Sequence, residues 1–212
     1  ELPSPKLCDF YVSMDPGFRD LNATLFAYYD FLNARIVILD EHVVNGPTLT
    51  TEKLAEDIRE IEELRFVDPT SGEKIPPFLR IMDNDNLILW NDLFVLHGLK
   101  FITSKKDNKE AQVNHVKMML ANEQIIIHPR CKHLIYHMKN ARWKKSRDGK
   151  KNTDFERLND TPNKLIRGGH ADALSAIIYL VRNINKSRSP YPEGYFKNKD
   201  PNVFESLLKP AT

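Results

Sequence analysis

Three aspartates in this chain close or open apolar elements, where a side chain can look out over the edge of a sheet. Asp15 follows Tyr11-Val12-Ser13-Met14 and precedes Pro16-Gly17. Asp83 follows Leu79-Arg80-Ile81-Met82, and Asp172 lies in Gly168-Gly169-His170-Ala171-Asp172-Ala173-Leu174. Carboxylate oxygens are the ligands that hard divalent cations require, and a pair of such cations can hydrolyse a phosphodiester. Each acid also has an ordinary structural explanation. Asp15 suits a turn before Pro-Gly, Asp83 a helix N-cap, and Asp172 the favourable field at a helix N-terminus. Asn84, Asp85 or Asn86 can supply the cap equally well, which leaves Asp83 free. Asp83 is preferred to Asp85 because it directly ends the apolar strand. Ala171, Ala173 and Ala176 are small and leave space beside Asp172.

The elements that must position these acids follow from hydrophobic patterning. Residues 9–15, 22–31 and 34–44 read as three strands separated by short breaks rich in Asn and Asp, an antiparallel meander. Thr50 or Thr51 then caps a helix with Leu54, Ile58, Ile61 and Leu64 on one side and a solvated acidic face on the other. Residues 66–78 hold turn formers and read as a loop. Beyond them strand and helix alternate: strands at 79–83, 100–102 and 125–127, helices at 86–97, 107–121 and 131–139. The last strong element is a helix from about 168 to 185, with Ala171, Leu174, Ile177, Ile178 and Val181 as its stripe. A meander followed by strand–helix alternation predicts an α/β fold, a mixed sheet with helices on both faces.

The 212 residues suffice for one large domain or two small ones, and 41% apolar content can fill a core. The net charge is only +2, so attraction to nucleic acid must come from local patches. Cys8 and Cys131 are too few for a disulfide framework. They predict packing as small hydrophobes in a reducing, intracellular compartment. No apolar run approaches a membrane span, so no membrane partner is expected. Residues 1–8 read as a proline-stiffened linker from an upstream domain, and 186–212, with Pro190, Pro192, Pro201 and Pro210, as an extended tail.

One patch stands out. Between residues 130 and 167 twelve basic residues face four acidic ones. Arg142, Lys144, Lys145 and Arg147 around Asp148-Gly149 read as a basic β-hairpin arm, with Asp-Gly as its turn, inside a basic segment 141–167. Such an arm meets phosphates without reading bases. The alternative is a solvated basic loop. Lys105 and Lys106, after a strand end on the same expected edge, are further candidates for contact with DNA. His133 and His137 lie four apart, but no Glu follows the first as a zinc-protease motif needs; with His128 they read as surface or packing residues. His170 either orients a ligand or phosphate or caps the helix.

The order strand-Asp15-Pro-Gly, meander, helix, strand-Asp83, then a C-terminal helix with His170-Ala171-Asp172-Ala173-Leu174 and Tyr179 resembles the nuclease domain of viral large terminase subunits. These are the DNA-packaging enzymes of tailed phages and herpesviruses. The resemblance covers roughly residues 9–185, and its most specific piece is the His170–Leu174 segment with Tyr179. It implies an RNase H-like (RuvC-like) fold and an endonuclease that cuts concatemeric double-stranded viral DNA with low sequence specificity. It matches Asp15, Asp83 and Asp172 to the family's catalytic carboxylates, with Asp20 as an accessory metal acid or else a surface turn residue. It further implies two Mg²⁺ or Mn²⁺ ions roughly 4 Å apart, with Asp15 as the bridging ligand. The partners implied are the portal protein, the small terminase subunit and an upstream ATPase domain, in the host cell cytoplasm and transiently on the procapsid. No Gly-x-x-x-x-Gly-Lys-Ser/Thr occurs within the chain. Another RNase H-like nuclease, such as a Holliday-junction resolvase, or a non-catalytic DNA-binding or motor-docking module would share much of the pattern.

Overall fold

We describe a computed structural model of the chain that covers residues 8–17, 20–83, 85–105, 107–144 and 154–184. Its centre is a six-stranded sheet. Strands β1 (Cys8–Asp15), β2 (Leu21–Asp30) and β3 (Arg35–Asn45) form the expected antiparallel meander. Strands β4 (Leu79–Met82), β5 (Ile102–Thr103) and β6 (Ile125–Ile127) join in parallel, β4 on β1, β5 on β4 and β6 on β3. The order is β5-β4-β1-β2-β3-β6, an RNase H-like mixed sheet.

Alternation along each strand divides the core in two. Phe10, Val12, Met14, Phe26, Tyr28, Val37, Leu39 and Met82 point to the face covered by α1 (Thr51–Arg65) and α2 (Leu87–Val95). Tyr11, Ala23, Leu25, Ala27, Ile36, Ile38 and Ile81 point to the face covered by α3 (Lys109–Ala121), α4 (Lys132–Asn140) and α5 (Asp172–Asn183). Asp15 continues the parity of Tyr11 and Ser13, and Asp83 that of Ile81, which directs both acids to the α5 face. β1 and β4 run in parallel with Met14 opposite Met82, so the residues that follow, Asp15 and Asp83, leave adjacent strands at one edge. Ser13 Oγ donates to the Ala176 carbonyl at 2.8 Å and fixes α5 along β1.

The boundaries differ from the sequence expectation where local chemistry intervenes. Cys8 already pairs with Asp30, so β1 takes in the last residue of the expected linker. β5 sits later than 100–102 and is only two residues long. The helix expected at 107–121 starts at Lys109, because Asn108 is left-handed and its side chain caps Ala111 N–H. The helix expected from 168 starts at Asp172, because Gly169 (φ 55°) and Ala171 (φ 63°) are left-handed and cannot continue a right-handed helix.

α1 carries the clearest departure. The expected stripe was Leu54, Ile58, Ile61 and Leu64, but Leu64 is exposed and the buried positions are Leu54, Ala55, Ile58 and Glu62. Glu62 lies on the face assumed to be solvated. It accepts two hydrogen bonds of 2.6 Å from the Arg80 guanidinium on β4, a paired fork that makes its burial tolerable. The pair latches α1 to the strand that ends at Asp83. Arg80→Ala leaves a buried carboxylate without its partner, with an expected loss of about 2–3 kcal/mol in urea unfolding.

Candidate active site

The three aspartates of the sequence pattern come to one edge of the sheet, and one helix touches all of them. Asp172 is the first residue of α5, and Ser175 and Tyr179 follow three and seven positions later, on the same face. Ser175 hydrogen-bonds the Asp15 carboxyl group. Tyr179 donates its hydroxyl hydrogen to Asp83 Oδ2 at 3.0 Å. Asp172 contributes its own carboxylate, whose Oδ2 accepts the His170 N–H at 3.1 Å. Asp83 and Asp172 are buried and Asp15 is half-buried.

The electrostatics express the crowding. Burial, then the negative charges of Asp172 and Asp83, push the Asp15 carboxyl up to about 8; the Ser175 hydroxyl and the Lys109 ammonium pull the other way. Burial and the neighbouring Asp20 raise Asp172 to about 6, against the opposing pull of backbone N–H groups and Arg157. Tyr179 is pushed far above the usual phenol range by burial and by the Asp15 and Asp83 charges, so it stays a donor. Among the described residues, no three histidine, cysteine or carboxylate side chains form a ready-made coordination sphere. The donor set nevertheless fits a hard divalent cation. It is all oxygen, and its mutual repulsion is the kind that a cation removes.

Asp172 depends on the loop before it. A Cβ at Gly169 would collide with Asp172 Oδ2. Leu158 N–H donates to the Gly169 carbonyl at 2.8 Å, and Asp160 Oδ1 accepts the Gly168 N–H at 3.0 Å. The N-cap position of α5 is Ala171, which has no side chain to offer. His137 of α4, fully buried, supplies the missing acceptor: its Nδ1 accepts the Ala173 N–H at 3.2 Å while Nε2 donates to the Arg167 carbonyl at 2.9 Å. Burial lowers its pKa, so it works as the neutral imidazole that this pattern needs. α4 is fixed in turn by Glu41 of β3, whose carboxylate accepts the His133 and Leu134 N–H groups at 2.7 and 2.9 Å.

His137 and His133 are therefore structural, in line with the packing expectation, and His137 acts on the site at one remove. Asp20 is held by Arg157 at 2.8 and 3.1 Å and lies 3.4 Å from His170 Nε2, so the Arg157 guanidinium offsets its charge beside Asp172. Lys105 and Arg142 are exposed or partly so, and Lys144 lies 3.9 Å from Asp154. Trp143 pairs antiparallel with Phe155 and stacks on it. Lys106, Lys145, Arg147 and the Asp148-Gly149 turn lie outside the described residues, as do 1–7 and 185–212. The sequence reading missed Ser175, although its i, i+3 spacing from Asp172 was a readable signal. It also missed Lys109, Arg157 and the role of His137, for which no local pattern exists.

The large terminase of a thermophilic bacteriophage superposes with a TM-score of 0.64 and 19% identity over 86% of this chain. The fold is that of a large-terminase nuclease domain. The g2p large terminase nuclease domain of bacteriophage SPP1, with bound Mn, gives a TM-score of 0.52 and 20% identity, covering 81% of this chain and 84% of that one. The large terminase nuclease of the thermophilic phage G20c, with bound magnesium, gives 0.53 and 13%, covering 81% and 79%. This chain spans 40% of the length of the first of these proteins. No protein-family model matches the chain, and no curated protein matches it in sequence.

Two outcomes are expected from the site. Divalent-cation affinity, measured by calorimetry, should rise with pH up to about 8 and level off above, by up to about tenfold per pH unit between 6 and 8 for the proton displaced from Asp15, and more steeply below 6, where Asp172 gives up a proton as well. Because both folded-state values exceed the ordinary 3.8, the metal-free fold should instead lose stability as pH rises from 3.8 to about 8, faster below about 6, where both groups contribute. His137→Ala should cost about 2–3 kcal/mol in urea unfolding through the lost cap and the space left, and should weaken Mn²⁺ binding about tenfold or more.

Proposed function

We propose that this chain is a metal-dependent endonuclease that cuts double-stranded viral DNA during genome packaging. The observation that carries the reading is the meeting of Asp15, Asp83 and Asp172 at one sheet edge, with the Asp15 carboxyl raised to about 8 by burial and by the other two acids. The fold shared with terminase nuclease domains, two of them with bound Mn or magnesium, supports it.

Asp15, Asp83 and Asp172 would hold Mg²⁺ or Mn²⁺, which supplies Lewis acidity for activating water and for stabilising the departing 3′ oxygen. The chain's own residues do the rest. Ser175 and Tyr179 orient the carboxylates of Asp15 and Asp83, and the loop at Gly169 orients that of Asp172. Loading requires Asp15 and Asp172 to give up their protons. Arg142, Lys144, Lys145, Arg147, Lys105 and Lys106 meet the DNA backbone, which gives affinity without base readout and hence low sequence specificity. We assign Asp20 to the rim of the site, where Arg157 and His170 hold it, with entry into the metal shell open to it once that pair separates. The two-ion count, the portal and small-subunit partners, an ATPase domain in cis and a site of action in the host cytoplasm belong to the same reading.

Cleavage of supercoiled plasmid with Mn²⁺ tests it. Asp15→Asn, Asp83→Asn and Asp172→Asn should each lower cutting about a hundredfold or more, since losing a metal's outer partners alone costs 10–100-fold. Wild-type cutting by Asp15→Asn would overturn the assignment, and a strong preference for a four-way junction over linear duplex would move it to a resolvase.

A further inference from the structure

A cavity of about 270 Å³ reaches Asp83 of the acid trio, and Asp85, Asp107, Asp154, Lys109 and Tyr179 are among the residues that line it. Its lining carries four aspartates and one lysine, a set unfavourable to a polyanion. Among the described residues, Arg182 bonds Asp107 and Lys144 approaches Asp154 at 3.9 Å. Lys109 is the cation among the lining residues, and its contact is of another kind. Its ammonium lies 4.7 Å from the centre of the Phe155 ring, and among the described residues it makes no ion pair.

That placement is specific. Phe155 is buried and stacked on Trp143 at 4.7 Å, so the ring is a fixed seat rather than a passing contact. Lys109 is the first residue of α3 and is held in place by the Asn108 cap. A cation resting on an aromatic face keeps its N–H donors free for an anion, which a cation already paired with a carboxylate does not. The Lys109 charge is also felt at Asp15, where it eases ionisation.

We propose that Lys109 is a further catalytic residue of this site, whose ammonium, seated on Phe155, binds a non-bridging oxygen of the substrate phosphodiester as it enters the cavity. The inference rests on the nuclease reading above and adds a group to it. Lys109 lowers the cost of bringing a phosphate up to a crowd of carboxylates, and it stabilises charge that grows on the phosphate as it is attacked.

The test compares the wild-type chain with Lys109→Gln and Lys109→Arg, binding a short linear DNA duplex in Ca²⁺ and cutting it in Mn²⁺. Each phosphate contact contributes about 0.9 to the slope of log affinity against log salt. Lys109→Gln should lower that slope by about one and slow single-turnover cutting about tenfold or more, with thermal unfolding unchanged, while Lys109→Arg keeps the slope. An unchanged slope in Lys109→Gln, or an equal loss in Lys109→Arg, overturns the proposal. The two readings fail separately. If the duplex is bound but never cut and Lys109→Gln still lowers the slope, the nuclease reading falls and the phosphate contact stands. If cutting depends on Asp15 and the slope is indifferent to Lys109, the contact falls alone.

Discussion

Mutual repulsion among carboxylates gathered at one sheet edge is the constraint that organises this molecule. Left alone, such a group would push apart or hold protons, and burial together with the charges of Asp172 and Asp83 pushes Asp15 toward the second. What keeps the acids together is a single brace. α5 places Asp172, Ser175 and Tyr179 on one face, and through them it touches all three acids. The remaining architecture holds α5 in position. Ser13 pins it to β1, the His137 imidazole replaces a cap that Ala171 cannot give, and Glu41 anchors the helix from which His137 reaches.

These supports share a physical logic. Each is a buried polar group satisfied by a partner far away in sequence, set into an otherwise apolar layer. Ser13 and Ala176 are 163 residues apart, His137 and Ala173 are 36 apart, and Glu41 and His133 are 92 apart. A hydrophobic layer tolerates small slips of one element past another, whereas a directional hydrogen bond does not. The apolar layers carry most of the burial, and these few polar links set the register in which α4 and α5 rest on the sheet.

The same logic explains what was legible in the sequence. Strand parity, the meander and the strand–helix alternation are local patterns, so the mixed sheet and the edge positions of Asp15 and Asp83 could be read directly. The His170–Leu174 segment with Tyr179 was legible as a resemblance, and Tyr179 proves to touch Asp83. Long-range polar pairing could not be read. Nothing near Glu62 announces Arg80, so the buried face of α1 was placed one step round the helix. The hold of Arg157 on Asp20, 137 residues away, is likewise invisible from the neighbourhood of Asp20. The start of α5 was misplaced because the left-handed backbone of Ala171 is imposed by the folded loop and not by alanine's own preference.

The single brace has a consequence for how the molecule fluctuates. Because one helix carries a contact to each of the three acids, fraying of α5 from its N-terminus would release Asp172 first, then Asp15, then Asp83, in the order of Asp172, Ser175 and Tyr179 along the chain. The arrangement of this edge is thus tied to one cooperative folding unit, and all three acids keep their contact with α5 only while that helix is wound down to its first turn.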